Sequence, residues 1–183
     1  ELRTPLTVIQ GRVEGLLDGV YARDDASLEQ VLEETRVLSR LIEDLRTLAL
    51  SEAGALTLEK EATNLTELAR DIADAFAGQA AAQNVPIVIE EGPDATIEID
   101  PVRIREVISN LVSNALRHTA PGGVVTLGVT RRDANRLSVT VADTGAGMTP
   151  EEAAQVFQRF YKGTESRGSG LGLAIAQGLV AAH

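Results

Sequence analysis

The sequence predicts an all-α helical hairpin followed by an α+β domain with a mixed sheet, and three observations support this fold class. Before residue 54, apolar residues recur in alternating steps of four and three, as in helices that pack along a seam. After residue 54, stretches with helical periodicity alternate with short β-branched runs. Glycine and proline residues separate several of these runs. We therefore divide the chain into a hairpin at 1–54 and a second domain at 55–183.

The composition argues against several kinds of partner and site. The chain has 183 residues, a net charge of −10 and no cysteine. Double-stranded nucleic acid is not an expected partner, because the chain has no basic stripe to neutralise phosphates. Disulfides and thiolate metal sites are excluded. No apolar run approaches the ~20 residues needed to span a bilayer, so no membrane-spanning helix is expected in this chain.

The two helices of the hairpin share a heptad seam. Its residues are Leu2, Leu6, Ile9, Val13, Leu16 and Val20 in the first helix, and Val31, Thr35, Leu38, Ile42, Leu45 and Ala49 in the second. The polar stretch 21–26 predicts the connecting loop, and Ser27 with Gln30 has the sequence of a capping box. Because two helices cannot bury this seam alone, we expect two copies to pair into a dimeric four-helix bundle. The alternative is a hairpin that folds onto the rest of its own chain.

The ends of the hairpin carry two further signals. Pro5 allows two interpretations: either Thr4 caps a helix that begins at Pro5, or the helix runs through Pro5 and bends. Gly54 predicts the end of the second helix and the domain boundary.

Turns and caps predict the elements of the second domain. Strands are expected at 56–62, 86–90, 95–99, 124–131 and 136–142, with turns at 92–93 and 133–135. Asn64 opens a helix that runs to about Gln83. Asp100 followed by Pro101 opens another helix, which ends before Pro121.

The helix after Asp100 carries two asparagines on one face. Asn110 and Asn114 are four residues apart, and Arg117 and His118 lie in the next turn. Because a carboxamide oxygen is a good ligand for a hard cation, this face can hold Mg²⁺ and phosphate oxygens. The alternative is a solvated polar face.

An acidic residue and two glycines follow the last predicted strand. Asp143 is followed by Gly145 and Gly147. A carboxylate accepts a hydrogen bond from an exocyclic amine such as that of adenine, and glycines let the backbone approach a flat ring. The alternative is a tight turn with an exposed Asp.

A basic segment precedes the last predicted helix. Arg159, Lys162 and Arg167 lie in or beside a Gly/Ser/Thr-rich stretch with few apolar residues to anchor it. This composition favours a mobile lid over phosphates, and a surface loop is the alternative.

Three alternating glycines lead directly into that helix. Gly168, Gly170 and Gly172 leave backbone N–H groups bare at a helix start, which is typical of an anion site. Their spacing is that of neither the dinucleotide fingerprint nor the P-loop.

These four stretches, in this order, resemble the N, G1, F and G2 boxes of sensor histidine kinases, within the superfamily that includes the gyrase and heat-shock chaperone ATPases. The opening stretch 1–7, ELRTPLT, resembles the H box of the same family without its first residue. The resemblance implies an α+β sandwich that binds ATP and Mg²⁺. It also implies transfer of the γ-phosphoryl group to a His and then to an Asp of a response regulator.

The resemblance assigns the site residues. The nucleotide-binding positions are Asn110, Asn114, Arg117, His118, Asp143, Gly145, Gly147, Lys162, Gly168, Gly170, Leu171 and Gly172. Asn114 matches the Mg²⁺-binding Asn, and Asp143 matches the adenine-binding Asp. Glu1 resembles the acidic neighbour that helps deprotonate the acceptor imidazole. Thr4 resembles the residue that orients water when such kinases act as phosphatases on their response regulators.

Two parts of the family pattern fall outside the given sequence. The phosphorylatable His is expected just before Glu1, and the last strand pair is expected after His183, so we expect a part of a longer protein. Family members usually carry a membrane sensor upstream, which implies the cytoplasmic portion of an inner-membrane protein. A non-catalytic dimeric scaffold that binds nucleotide and docks a response regulator stays an alternative. A chaperone-like ATPase without phosphotransfer is a second alternative, which the H box argues against.

Overall fold

A helical hairpin is joined to a domain in which helices cover a small sheet. The structure, a computed structural model, describes residues 2–90, 92, 95–133, 136–162 and 169–183. Its helices are α1 (Arg3–Leu17), α2 (Asp25–Glu52), α3 (Leu65–Gln83), α4 (Pro101–His118), α5 (Pro150–Gln155) and α6 (Gly172–Ala182). Its strands are β1 (Glu61–Asn64), β2 (Ile87–Ile89), β3 (Thr96–Ile99), β4 (Val125–Asp133) and β5 (Arg136–Asp143). The predicted hairpin and α+β domain are confirmed, and the dimeric bundle stays a prediction.

The strands form two small sheets. β2 pairs with β4 in parallel and β4 pairs with β5 antiparallel, so the three-stranded sheet is mixed, as predicted. β1 and β3 form a separate antiparallel pair in which Glu61 lies opposite Ile99. The main core lies between these strands, α3 and α4. It includes Leu68, Ile72, Val85, Ile108, Val112, Leu116, Val125 and Leu127.

The strand predicted at 56–62 is wrong in its bounds, because regular pairing covers only Glu61–Asn64. Upstream of β1, the backbone and side-chain groups that a strand would use contact other parts of the chain. The Glu59 N–H donates to the Asp100 carboxylate at 3.0 Å. The Leu56 side chain packs against a second apolar cluster at the end of α2. This segment therefore connects the two domains instead of extending a sheet.

Side-chain caps start α3 and α4 where they were predicted. The Asn64 side chain accepts from the N–H groups of Thr66 and Glu67. Asp100 accepts from the second and third residues of α4, with Pro101 at the first helical position. Of the two predicted turns, residues 93 and 134–135 lie outside the described residues.

The start of α2 corrects one prediction. The N-cap is Asp24, whose carboxylate accepts the Ser27 N–H at 2.8 Å, so Ser27 is not the cap of a Ser27–Gln30 box. The carboxylate of an extended Asp24 reaches that amide first, and the helix begins at Asp25. The Gln30 side chain instead accepts a hydrogen bond from Arg12 of α1.

The start of α1 contradicts one interpretation of Pro5, whereas the helix does run through Pro5 as in the other. The helix begins at Arg3 after Leu2, so Thr4 is not its N-cap. Pro5 therefore lies in the first helical turn, where a missing N–H leaves no intrahelical hydrogen bond unmade.

The predicted stop at Gly54 is confirmed. Gly54 is in the left-handed region at φ +61°, and its N–H donates to the Ser51 carbonyl at 3.1 Å. The next N–H, of Ala55, donates to the Leu50 carbonyl at 2.9 Å. These two bonds form a Schellman motif, which ends the helix by satisfying its last carbonyls.

A second apolar cluster joins the hairpin to the second domain. It consists of Leu41, Leu48, Val107, Leu171, Ala174, Ile175, Ala176 and Leu179, from α2, α4 and α6 with its preceding loop. The hairpin thus packs partly on its own chain at the end of α2, in agreement with the alternative stated above. Farther along the hairpin, Leu6, Val13 and Ile42 of the predicted seam stay 45%, 39% and 53% exposed.

Candidate nucleotide-binding site

Helix α4 provides the polar face on which the site is built. Its apolar side, which includes Ile108 and Val112, is buried in the main core. The opposite side places Asn110 and Asn114 one turn apart in half-buried positions. Arg117 and His118 are exposed in the last turn. The cap at Asp100 fixes where α4 starts, and it therefore fixes the position of each of these side chains along the helix axis.

The loop after β5 packs against the end of α4. A β-carbon on Gly145 would lie 2.3 Å from the His118 carbonyl oxygen, so only glycine fits this approach. The Gly145 N–H donates to Asp143 Oδ1 at 2.9 Å. Asp143 is exposed at the end of β5, and Gly147 is in the left-handed region at φ +71°. The predicted adenine loop and the asparagine helix are therefore neighbours.

The start of α6 lies against the same helix. A β-carbon on Gly172 would be 3.4 Å from Asn110 Oδ1, so the first residue of α6 faces the asparagine side of α4. The N-cap of α6 is the buried Leu171, whose apolar side chain cannot cap the helix. The first N–H groups of a helix have no intrahelical acceptor, and beside a carboxamide they favour an anionic ligand.

Gly170 lies against the backbone at the start of the basic segment. Gly170 is in the left-handed region at φ +69°, and a β-carbon on it would lie 2.7 Å from the Phe160 backbone carbon. The Phe160 N–H donates to the Gly170 carbonyl at 2.9 Å. Phe160 itself adopts φ +61°, a left-handed conformation that is unusual for an aromatic residue. The two predicted motifs are therefore joined through their backbones.

Some predicted site residues are not placed by these contacts. Glu1 and Gly168 lie outside the described residues, as does the basic Arg167. Lys162 is exposed just before residues 163–168, which the structure does not describe. Arg159 forms an ion pair with Glu52 at the end of α2, so its charge is directed to the hairpin.

The donor set suits Mg²⁺ held together with phosphates better than a metal held by the protein alone. Among the described residues, no group of three or more His, Cys, Asp or Glu side chains could hold a metal ion. The carboxamide of Asn114 could supply one hard oxygen ligand, and phosphate oxygens would complete the coordination. The residues present fit a magnesium-bound nucleotide on this criterion.

The individual residue contacts between the hairpin and the second domain were not predicted, although packing of the hairpin on its own chain was one alternative. Gly178 of α6 approaches Ser51 of α2, and Glu52 pairs with Arg159. Asp44 of α2 is half-buried there, and burial, followed by the charge of Glu106 on α4, raises the pKa of its carboxyl group. The only signal in the sequence was a small residue, Gly178, within an otherwise apolar helix.

Two sequence families match separate parts of this chain. Residues 99–183 match the family described as histidine kinase-, DNA gyrase B- and HSP90-like ATPase. Residues 1–54 match the His kinase A (phospho-acceptor) domain. The first span contains α4, the Asp143 loop and α6, and the second contains the hairpin.

Individual proteins resemble the chain over nearly its full length. It is 33% identical over 188 residues to the signal transduction histidine-protein kinase BaeS of Escherichia coli (strain K12), covering 100% of this chain and 40% of that protein. The solved structure of the histidine kinase AdeS of Acinetobacter baumannii matches with a TM-score of 0.84 and 29% identity, over 100% of this chain and 86% of that one. Full-length ShkA, solved in complex with AMPPNP, matches with a TM-score of 0.73 and 26% identity, over 98% of this chain and 41% of that one.

The chain thus spans less than half the length of BaeS. Each helix in the described part of the chain is too short or too polar to cross a membrane.

Proposed function

This chain belongs to the sensor histidine kinases, and we propose that it is the ATP-dependent core of a two-component sensor. In this proposal, residues 1–54 form the dimerisation and phosphoacceptor hairpin and residues 55–183 form the catalytic ATP-binding domain. The γ-phosphoryl group passes to a His that precedes Glu1 and then to an Asp of a response regulator.

One observation carries the proposal most directly: a cavity of about 300 Å³ separates the H-box stretch from the phosphate loop. Its lining residues are Leu2, Arg3, Leu41, Leu45, Phe160 and Leu171. Leu2 and Arg3 belong to the stretch that resembles the H box, and Phe160 and Leu171 flank the segment before α6. The acceptor end of the hairpin and the phosphate-binding end of the second domain therefore face one common space.

The nucleotide is proposed to lie between the Asp143 loop and the start of α6. Asp143 would accept a hydrogen bond from the exocyclic amine of adenine, above the turn formed by Gly145 and Gly147. The contact between Gly172 and Asn110 places bare helix amides beside the asparagine face, where phosphate oxygens would bind. The AMPPNP complex of ShkA supports a nucleotide of this class.

Bound ATP would supply the phosphoryl group, and Mg²⁺ would screen its negative charge. Asn114 offers the carboxamide ligand to the cation, while Arg117, His118 and Lys162 offer positive charge or hydrogen bonds to phosphates. Gly168 and Gly170 are proposed as glycines of the phosphate loop, and at Gly170 a β-carbon would meet the Phe160 backbone. In the transfer, the imidazole nitrogen would form a bond to the γ-phosphorus. The bond from that phosphorus to the oxygen it shares with the β-phosphate would break, and ADP would leave. Glu1 is proposed to accept the ring proton.

The same hairpin is proposed to serve the opposing phosphatase activity. Thr4 is exposed on the first turn of α1, one residue from the cavity lining at Arg3. There it would orient a water molecule for hydrolysis of the phosphorylated response regulator.

The proposed partners follow from the exposed surfaces and the family. The exposed seam residues of the hairpin favour pairing with a second copy of this chain, and the phospho-acceptor domain match also suggests dimerisation. A response regulator receiver domain is the proposed phosphoryl acceptor. Nucleic acid is not proposed as a partner, and a membrane would be reached only through a sensor region outside this chain.

The proposal is tested with a longer protein that includes the residue before Glu1, incubated with Mg²⁺ and ATP labelled at the γ-phosphate. We expect an acid-labile, base-stable label on that residue, its transfer to a receiver domain, and loss of labelling in the Asp143→Asn variant. Thr140→Val, an exposed change on β5, is the matched control and should label normally. ATP binding without labelling would overturn the kinase proposal in favour of the scaffold.

A further inference from the structure

Beyond the paired part of β4 and β5, the Thr144 side chain takes the place of a backbone acceptor. The ladder runs to the pair Val125 and Asp143, so Val124 and Thr144 would form the next pair. The Thr144 N–H donates to the Val124 carbonyl at 3.1 Å, as a regular ladder requires. The return bond differs, because the Val124 N–H donates to Thr144 Oγ1 at 2.9 Å and not to the Thr144 carbonyl.

The use of a hydroxyl in place of a carbonyl as the acceptor has a geometric consequence. A ladder that continued would hold the carbonyl of Thr144 and keep the chain extended. With the hydroxyl as acceptor, the backbone after Thr144 turns away while its N–H stays anchored to Val124. The strand therefore ends at one defined residue, between Asp143 and Gly145.

Close packing restricts the position of this hydroxyl. A β-carbon on Gly123 would lie 2.7 Å from Thr144 Oγ1 and 2.5 Å from the Thr119 methyl carbon. Thr119 is itself buried, and its hydroxyl donates to the Ala115 carbonyl of α4 at 2.7 Å. The Thr144 hydroxyl is thus enclosed on the side that faces the end of α4.

The residues on either side of Thr144 belong to the adenine loop. The Gly145 N–H donates to Asp143 Oδ1, and Gly145 lies against the His118 carbonyl. The Asp143 carboxylate is therefore held by the backbone that Thr144 anchors. If that anchor were lost, the carboxylate and the turn would move together.

We propose that Thr144 is a positioning residue for adenine recognition: its hydroxyl fixes the exit of β5 and thereby aims the Asp143 carboxylate at the exocyclic amine of the base. This inference rests on the proposed function, since it assumes that Asp143 binds adenine. Thr144 does not touch the nucleotide in this account.

The test compares Thr144→Val, which keeps the branched shape but removes the acceptor, with Thr144→Ser, which keeps the hydroxyl. Calorimetry measures the dissociation constants of Mg²⁺-ATP and of purine riboside triphosphate, which has hydrogen in place of the 6-amino group. Because Thr144 is exposed, water can satisfy the Val124 N–H, so thermal unfolding should change little. ATP binding should weaken about tenfold in Thr144→Val, as for one poorly aligned hydrogen bond to a charged group.

Three further results are expected. Binding of the analogue without the amine should change little in Thr144→Val. Thr144→Ser should bind ATP like the wild type. The control Thr140→Val should bind both ligands normally. Equal losses for both ligands, or wild-type ATP binding by Thr144→Val, would overturn the inference. If wild-type protein bound no ATP, or if Asp143→Asn bound it normally, the proposed function itself would fail.

Discussion

A β-carbon placed on Gly178 of α6 would lie 2.7 Å from the hydroxyl oxygen and 3.4 Å from the β-carbon of Ser51 on α2. The second domain therefore rests on the hairpin through a contact between small residues. The ion pair between Arg159 and Glu52 lies at the same end of α2. In the proposed function, this contact must open or shift whenever the ATP-binding domain moves relative to the acceptor.

We expect Gly178→Leu to separate α6 from α2, because the backbone approach leaves no room for a branched side chain. Hydrogen exchange should quicken at the C-terminal end of α2 and along α6, and small-angle scattering should show a more extended particle. Gly178→Ala should have a smaller effect, since the Ser51 hydroxyl can rotate away. Gly78→Leu is the control, because a β-carbon there meets nothing within 4 Å. Unchanged exchange in Gly178→Leu would contradict the contact.

The Asp44 carboxyl group makes the stability of the interface between the hairpin and the second domain depend on pH. Burial and the charge of Glu106 raise its pKa above the ordinary value of 3.8, and Arg40 lowers it less than these effects raise it. A folded state that binds a proton more tightly than the unfolded state loses stability as the pH rises from 3.8 through the raised pKa. Asp44→Asn removes this loss.

We therefore expect Asp44→Asn to be more stable than the wild type at pH 7, with a difference that shrinks as the pH falls through that window. Urea denaturation at several pH values measures it. Glu33→Gln, which removes an exposed carboxylate paired with Arg36, is the control for the loss of one negative charge from α2. A pH-independent difference for Asp44→Asn would argue against a buried, like-charged environment.

Asp100 joins the linker to α4 and should contribute to stability with the opposite dependence on pH. Burial raises the pKa of Asp100. Hydrogen bonds from the N–H groups of Arg103, Glu59 and Val102 together lower it by more than burial raises it, so the pKa lies below 3.8. Its contribution is present above the ordinary pKa and is lost as the pH falls through the folded pKa.

We expect Asp100→Ala to lower the free energy of unfolding by about 1–2 kcal/mol at pH 7, through loss of the helix cap. Asp100→Asn, which keeps an acceptor oxygen, should lose less. Denaturant unfolding, with hydrogen exchange at Glu59, measures both effects. A wild-type value for Asp100→Ala would mean that the cap and the linker bond contribute nothing.

Ile42 tests the proposed dimer. It belongs to the predicted seam and is 53% exposed in the single chain, so in a four-helix bundle it would be buried against the second copy. Ile42→Asp should give monomers, because an unpaired charge buried in that seam costs several kcal/mol. Val102→Asp, at a 70% exposed position on α4, should leave the mass by light scattering unchanged. A dimer that persisted in Ile42→Asp would contradict the bundle.

Local signals in the sequence predicted helix ends well. As helix caps, Asn64, Asp100 and Gly54 act through hydrogen bonds to residues two or three positions away, so the sequence around each one contains the whole capping interaction. The cap at α2 was misplaced because the Asp24 carboxylate accepts the Ser27 N–H, which the Gln30 side chain would accept in the predicted box. The strand at 56–62 was misplaced because its residues have distant partners that no local pattern shows.

The site could be predicted as a set of motifs but not as an arrangement. The contacts of Gly145 with His118 and of Gly172 with Asn110 join residues far apart in the chain. The role inferred for Thr144 depends on a hydroxyl that replaces one backbone carbonyl, and a strand pattern does not distinguish the two. Contacts between the domains, such as Gly178 with Ser51, likewise need the folded chain.

Calorimetric titration of the chain with Mg²⁺-ATP tests the central claim most directly, namely that the Asp143 loop, the asparagine face of α4 and the start of α6 form one nucleotide site. We predict saturable binding at one site per chain, at least tenfold weaker in Asp143→Asn because the acceptor for the adenine amine loses its charge, and unchanged in Thr140→Val. Equal heats and affinities for the wild type and Asp143→Asn, or no binding to the folded wild type, would contradict the account.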